Sequence, residues 1–335
     1  SSDVCSSDLM ESQQIDEEQY KTIIPEELDG KRFDVALAAL FPDFSRSRLQ
    51  AWIKSGDALI AGNKRRQRDA VAEGEEVELK VERDEEVEWS GEDIPLNIIY
   101  EDDHILFVDK AAGMVVHPAA GNWTGTLVNA LLFQLPKLSE VPRAGVVHRL
   151  DKDTSGILVI AKTLEAHTHL VRQLQNRSMR REYQAISNGL MTAGGTVDAP
   201  IGRHRGDRKK MAVVGEHEKG KVAITHYRVL EKFRSHTHTK LTLETGRTHQ
   251  IRVHMEYVRF ALLGDPVYGH RLQIPKASSE KMSSTLRNFK RQALHAAILG
   301  LEHPATGEWV EFDSPLPEDM LSLIEVLRED LAEHR

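Results

Sequence analysis

The sequence predicts an α+β protein: a mixed, largely antiparallel β-sheet domain with flanking helices, preceded by a small α/β module. Three observations carry this prediction. Short apolar runs such as Ile105–Val108, Ile157–Ile160 and Leu241–Leu243 are interleaved with helical stretches such as Leu164–Leu174. The regular strand–helix repeat of a doubly wound parallel sheet is missing, and so is any internal repeat. Upstream, residues 31–82 read as two short helices followed by strands, and a chain of 335 residues suggests about two domains.

The elements follow in chain order. Residues 1–9, SSDVCSSDL, lack the apolar core of a signal peptide and stand before Met10, so they read as a tag, and Cys5, the single cysteine, goes with them. Residues 1–30 are expected to form a disordered acidic arm with a short strand-like end at Ile23 and Ile24. From Lys31, Phe33, Leu37, Leu40 and Phe41 recur at helical spacing until Pro42 stops them. Ser45 is placed to cap a second helix with the stripe Leu49, Trp52 and Ile53 and the terminator Gly56. Ala58–Ile60, a turn at Gly62-Asn63 and the alternating Val77, Leu79 and Val81 complete this module. Residues 83–97, acidic and containing Pro95, read as a linker, and residues 98–330 as the larger domain.

Charge is distributed by region. The chain carries 44 Lys plus Arg against 52 Asp plus Glu, a formal net charge of −8 that argues against a polyanionic partner. Residues 1–30 account for −8 and residues 69–103 for −13, whereas residues 31–68 carry +6 and residues 201–260 carry +8. Two basic islands therefore sit in an acidic chain. One cysteine excludes an intrachain disulfide framework and a cysteine-built zinc site. No apolar run approaches the roughly 18 residues of a membrane span, so a cytoplasmic protein without a membrane partner is expected.

In the first island Arg46 and Arg48 flank the start of the second helix, Lys54 lies near its end, and Lys64, Arg65, Arg66 and Arg68 crowd the following turn. Taken alone, such a run is most often a solvated face. The stretch RFDVALAALFPDFSRSRLQAWIKSGDALIAGNKRRQRDAVAEGEEVEL, however, resembles the S4 RNA-binding module, with Ile60 before the turn and Gly62-Asn63 in it. That resemblance implies that Arg46, Arg48, Lys54, Lys64 and Arg65 contact RNA, by charge and shape more than by base reading.

The densest chemistry lies in HRLDKDTSG, His148–Gly156, directly before the apolar run Ile157–Ile160. If this segment is extended, Asp151 and Asp153 share a face, and Arg149 shares one with Asp151 and could ion-pair with it. A carboxylate so held can act as nucleophile or base, and the bland alternative is a charged turn closed by its own salt bridges. REYQAI puts Tyr183 at the head of an apolar strand, where a core tyrosine is the ordinary reading. LETGRTHQIRVHM runs from a strand through Gly246 into a helix with Ile251, Met255 and Val258 as its buried stripe. Arg247, Thr248, His249 and Arg252 then lie near a positive helix N-terminus, a place for phosphate.

These motifs, with GDPVYG at Gly264–Gly269 and the earlier AAGMVVHPAAGNWTGTLVNALL, resemble the RluA family of pseudouridine synthases over nearly all of residues 98–330, through RQALHA and SPLPEDM. The resemblance implies that Asp151 is the catalytic aspartate and that Arg252 pairs with it. It implies that Tyr183 stacks on the target base and is the candidate base for the C5 proton, and that Arg149, beside His148, holds the place of the flipped-out nucleotide. An S4 module in front points to the subgroup acting on large-subunit ribosomal RNA, and suggests the helix 69 hairpin of 23S RNA. One departure is Phe260 and Ala261, where close relatives read histidine and proline, which bears on a pocket wall.

Converting uridine to pseudouridine breaks the C1′–N1 bond, turns the base and joins C5 to C1′, with no redox change and no net hydrolysis. No cofactor and no metal is therefore expected. The HxH pairs His167/His169 and His236/His238 read as surface or RNA-facing histidines. The basic stretch Arg203–Lys221, with Arg203, Arg205, Arg208, Lys209, Lys210, Lys219 and Lys221, reads as a mobile insertion that holds the splayed strand. Asp151 could attack C1′ or remove the C2′ proton; the sequence leaves both open. A monomer is expected. Two competing readings are an RNA-binding assembly factor with an idle site, and a glycosidase-like hydrolase using Asp151 and Asp153.

Overall fold

The computed structural model describes residues 17–41, 44, 46–82, 89–119, 121–207, 210–215, 218–269 and 271–334, and the side chains of residues 17–19, 46, 47, 81 and 82 lie outside what is described. The chain divides into two compact units, Ser1–Glu88 and Trp89–Arg335.

The first unit comprises β1 (Glu17–Ile23), α1 (Phe33–Leu40), α2 (Arg46–Ser55), β2 (Ala58–Ile60) and β3 (Glu76–Glu82). Its sheet is antiparallel in the order β1-β3-β2. Phe33, Leu37, Leu49, Ile53, Ile60 and Leu79 bury its core, which is the stripe-and-alternation pattern of the sequence folded together. Gly56 ends α2 at φ 101°, and Lys64 Nζ donates to the Ser55 carbonyl at 2.7 Å, capping that helix end. Ser45 and Pro42 lie outside the described residues. The acidic arm is corrected for residues 17–30: β1 pairs with β3 along its whole length, and Ile24 is buried. Strand pairing rests on backbone hydrogen bonds, which an acidic, weakly apolar stretch supplies as well as any other when a neighbouring edge needs a partner.

The second unit starts earlier than the expected Ile98. Glu92 N donates to the Asn129 carbonyl, Asn129 Nδ2 donates to the Ser90 carbonyl, and Trp89 packs on the main core. Residues 89–96, read as linker, are thus anchored by a few polar bonds and one aromatic, a density too low to show in composition.

Its strands and helices are β4 (Asn97–Glu101), β5 (Ile105–Lys110), α3 (Leu127–Gln134), β6 (Ser155–Ala161), α4 (Leu164–Asn176), β7 (Arg180–Asn188), β8 (Gly195–Asp198), β9 (Ile201–Arg203), β10 (Met211–Val213), β11 (Ile224–Lys232), β12 (His236–Leu243), α5 (Gln250–Tyr257), α6 (Glu280–Asn288), β13 (Leu294–Glu302), β14 (Trp309–Asp313) and α7 (Glu318–Glu333). Among the described residues the main sheet runs β4-β5-β6-β13-β7-β12-β11-β8, with β14 on β13, antiparallel throughout except between β13 and β6. The α+β class is as the sequence predicts.

Three local expectations change. His236 and His238 share one face of β12 and are 0% and 7% exposed, on the side where α7 brings Asp330 and Arg328 near them; burial lowers both to about 4. The Arg203–Lys221 stretch, read as a mobile insertion, takes part in a paired hairpin: β9, which ends at Arg203, and β10 pair antiparallel; Arg208 and Lys209 lie outside the described residues. Helix α5 is buried from Gln250 to Met255, on all its faces and not on a stripe, and Val258 follows its end.

Candidate active site

The site grows from the turn that precedes β6. Thr154 N donates to the Asp151 carbonyl at 3.0 Å, closing a turn, so the segment is not extended and Asp151 and Asp153 do not pair as neighbours on one face. At the head of β6 Gly156 has φ +114°, and a Cβ there would collide with the Ala296 carbonyl of β13. Three residues of the RQALHA segment hold this turn: Arg291 Nη1 donates to the Asp153 carbonyl at 3.2 Å, Gln292 Nε2 to Thr154 Oγ1 at 3.1 Å, and His295 Nδ1 meets Ser155 Oγ at 3.0 Å. From the other side Lys110, 1% exposed, donates from Nζ to the Lys152, Met114 and Ala111 carbonyls. Burial drops the Lys110 ammonium to about 8, against the pull of Asp153 and Asp151.

Asp151 faces a cleft of about 580 Å³. Its Oδ2 accepts from Arg252 Nη1 at 2.9 Å, and its Oδ1 lies 3.9 Å from His249 Nε2. The ion pair that an extended segment would allow between Arg149 and Asp151 does not form; Arg149 is exposed and lines the cleft. Arg252 turns its other nitrogens to Asp265, with Nε to Oδ2 at 2.7 Å and Nη2 to Oδ1 at 2.9 Å. Asp265 Oδ1 also accepts from the backbone of Val267 and Tyr268. Burial acts against the charge on Arg252, but Asp265 and Asp151 outweigh it and raise its pKa above the ordinary value. The guanidinium stays charged and is locked in place.

His249 is the N-cap of α5 in a left-handed conformation, φ 56°, and its Nδ1 meets the Tyr268 hydroxyl at 2.8 Å. Burial lowers its pKa. The loop into α5 is closed on itself, since Gln250 Oε1 accepts from Arg247 N and from Thr245 Oγ1, and Gln250 N donates to the Arg247 carbonyl at 3.0 Å. Arg247 donates from Nε to the Val222 carbonyl, and it lines the cleft together with Thr248.

Tyr183 is buried on β7 and lines the cleft, and its hydroxyl makes no hydrogen bond among the described residues, unlike an ordinary core tyrosine. Burial raises its pKa, Arg181 works against that and Asp151 adds to it. His148 lines the cleft, half-buried, with Nε2 accepting from Val159 N at 3.2 Å, and burial beside Arg181 drops it to about 3, so the imidazole is neutral. Phe260 and Ala261 are not in the cleft wall: the Phe260 ring packs at Gly189, and the Ala261 carbonyl accepts from Asn188 N, at the far end of β7.

In the first unit the basic candidates separate. Lys64 is used at the end of α2, and Arg65 binds Glu75 and the Ala70 carbonyl. The Arg48 guanidinium lies 5.0 Å over the Trp52 ring, and Lys54 is exposed. The Arg46 side chain lies outside the described residues.

Sequence reasoning overlooked Asp265, Tyr268, Lys110 and Arg181. The signal for Asp265 was present in GDPVYG, where an acid stands beside apolar residues. For Lys110 it was a lone cation closing the apolar run ILFVD.

A carboxylate gripped by a buried arginine, in one cleft with a tyrosine whose hydroxyl is free and with a wall of cations, suits attack on a sugar carried by a polyanion. Fold and site thus define an RNA-directed isomerase of the pseudouridine synthase class. Residues 104–257 match the RNA pseudouridylate synthase family. The chain is 58% identical over 307 residues to the ribosomal large subunit pseudouridine synthase D of Pseudomonas aeruginosa, covering 92% of this chain and 95% of that one. It is 52% identical over 318 residues to the protein of the same name from Escherichia coli strain K12, covering 95% and 97%. Among solved structures, human RNA pseudouridylate synthase domain containing 4 superposes with a TM-score of 0.56 at 27% identity, over 69% of this chain and 93% of that one. The chain belongs to the RluA family of RNA pseudouridine synthases, and these relatives place it with the D type.

Proposed function

We propose that this protein converts uridine to pseudouridine in large-subunit ribosomal RNA in the cytoplasm, with the helix 69 hairpin of 23S RNA as its target, working as a monomer without a cofactor. The observation that carries the reading is the Asp151–Arg252 contact at 2.9 Å in a cleft walled by Arg143, Arg149, Arg181 and Arg247. The relatives' names, ribosomal large subunit pseudouridine synthase D, support the choice of RNA.

The target nucleotide leaves its stack to reach the cleft, at a cost of a few kcal/mol that is smallest in a loop. Arg149, exposed at the rim, takes the vacated place. Arg252 keeps the Asp151 carboxylate fixed and aimed, so no reorientation accompanies the reaction. Asp151 then acts on the ribose, by addition to C1′ or by removal of the C2′ proton, and the C1′–N1 bond breaks. Tyr183 stacks on the freed base and keeps it in the cleft while it turns. With its pKa raised, the phenol enters the reaction protonated, so it takes the C5 proton only as it passes its own to solvent. The first unit, read as an S4 module, holds the flanking RNA through Arg48 and Lys54, joined by Arg46, Lys64 and Arg65.

The test is release of tritium from a helix 69 transcript labelled at uridine C5, because isomerisation expels that hydrogen. Stoichiometric release is the expected result. No release from this or any other large-subunit hairpin would sink the reading.

A further inference from the structure

Arg181 is the anomaly of the cleft. Its residue is 6% exposed, yet no carboxylate lies within ion-pair distance of it among the described residues. Glu182, next to it in sequence, and Glu244, whose main chain it reaches, are committed elsewhere: Glu182 to Arg180 at 2.8 Å and Lys240 at 3.4 Å, Glu244 to His226 at 2.8 Å and Arg177 at 3.5 Å. Arg181 reaches only the Glu244 main-chain carbonyl, through Nη2 at 2.9 Å, and its Nε is buried with no partner at all. Arg252, equally buried on the same cleft, holds two carboxylates. A second cation, Arg247, stands close enough to Arg181 to disfavour its charge further.

A buried guanidinium without a counter-ion is costly, and such a group persists where a ligand supplies the missing charge. The ligand must be anionic, must enter the cleft beside Tyr183 and must accept from a planar fork of donors. A phosphodiester does all three. We propose that Arg181, assisted by Arg247, binds the backbone phosphate adjoining the target uridine and so fixes the flipped nucleotide's register over Asp151. This rests on the reading of the cleft as an RNA uridine site and adds to it a phosphate position. Arg181 is thereby a substrate-binding residue, separate from the Asp151–Arg252 pair that acts on the sugar.

The experiment uses the full chain with Arg181→Gln, which keeps a donor for the Glu244 carbonyl but loses the charge, and Arg181→Lys, which restores a point charge. The helix 69 hairpin is the probe, and its affinity is measured across salt concentrations. Neutralising one phosphate contact is expected to reduce the slope of log K against log salt by about 0.7–0.9. In Arg181→Gln the slope should fall by that amount, with KM raised about tenfold and kcat at saturating RNA within about threefold; Arg181→Lys should recover the slope. A hairpin with a neutral methylphosphonate on either side of the target uridine should bind the unmodified protein more weakly at one of the two positions. At that position the substitution should cost Arg181→Gln nothing further. An unchanged slope overturns the proposal. So does a methylphosphonate penalty that persists in full in Arg181→Gln, or a kcat and pH-profile change without a slope change, which would assign Arg181 to the Tyr183 hydroxyl or to a uracil carbonyl. Binding slopes need no turnover, so failure of tritium release would leave this test intact.

Discussion

Asp151 and Asp265 are joined through one guanidinium: Arg252 gives Nη1 to the first at 2.9 Å and Nε and Nη2 to the second at 2.7 and 2.9 Å. The two carboxylates have different exposures, with side chains 20% and 0% accessible. The inner acid is therefore the fixed post, and the outer one opens to the cleft.

Removing the post should cost both stability and rate. Asp265→Ala leaves Arg252 buried with half its counter-charge, and breaking a buried pair from one side costs about 3–5 kcal/mol. Denaturant melts should show that loss. Single-turnover tritium release should slow about 10- to 100-fold, by analogy with groups that orient a catalytic ligand from behind. Wild-type rate in a folded Asp265→Ala protein would remove Asp265 from the positioning of Asp151.

Asp151→Asn separates chemistry from binding. The carboxamide is nearly isosteric but cannot act as nucleophile or base, so turnover should vanish. RNA affinity should stay within a few-fold, since in the proposed reaction the carboxylate acts on the sugar and anchors no phosphate. Tritium release and hairpin binding on one preparation check both halves.

Much of this arrangement can be read along the chain where contacts are local. The helix stripe Phe33, Leu37, Leu40, the Gly56 terminator and the β6 run each depend on neighbours a few residues away, and each forms as expected. Asp151 and Arg252 are 101 positions apart, and their meeting follows from the family resemblance, not from spacing. Asp265 and Arg181 were missed because their meaning lies in what surrounds them in space: one acid under a guanidinium, one guanidinium with no acid. The buried His236 and His238 misled for the same reason. A polar residue in a strand reads as surface until another element packs on its face.

Those two histidines, with His117 lowered to about 4 and His148 to about 3 by burial, contribute an acid limit on stability. Burial lowers His236 and His238 from 6.5 to about 4, so the folded state prefers them neutral and the unfolded chain binds protons first as pH falls. Their contribution is complete above pH 6.5 and is lost as pH drops from there toward 4, each adding a slope of up to about 1.4 kcal/mol per pH unit. Asp102, held at about 2 by backbone N–H groups of Ile105 and His104 and by His303 and Tyr100 against its own burial, acts lower, between pH 3.8 and 2. Urea melts between pH 7 and 4.5 should show stability falling with pH. In His236→Phe the fall should be shallower by about one histidine's slope, and an identical slope would show that His236 does not titrate on unfolding.

Two truncations distinguish the boundary between the units from the one the sequence suggests. Deletion of residues 1–88 removes the first unit and its basic residues while leaving Trp89 on the core and the Glu92 carboxylate on Gly125 N. Deletion of residues 1–97 also strips Ser90 and Glu92 from Asn129, whose side chain with Thr126 caps α3 through a reciprocal pair of bonds. The shorter deletion should give a folded protein that binds the hairpin more weakly, with a smaller salt slope, since the cations of the first unit no longer displace counterions. The longer one should lower the melting temperature by several degrees relative to the shorter, as the hydrogen bonds that Ser90 and Glu92 make with Asn129 and a packed tryptophan are lost together. Equal melting temperatures would show that residues 89–97 behave as linker; equal salt slopes for the 1–88 deletion and the full chain would show that the first unit takes no part in capturing RNA.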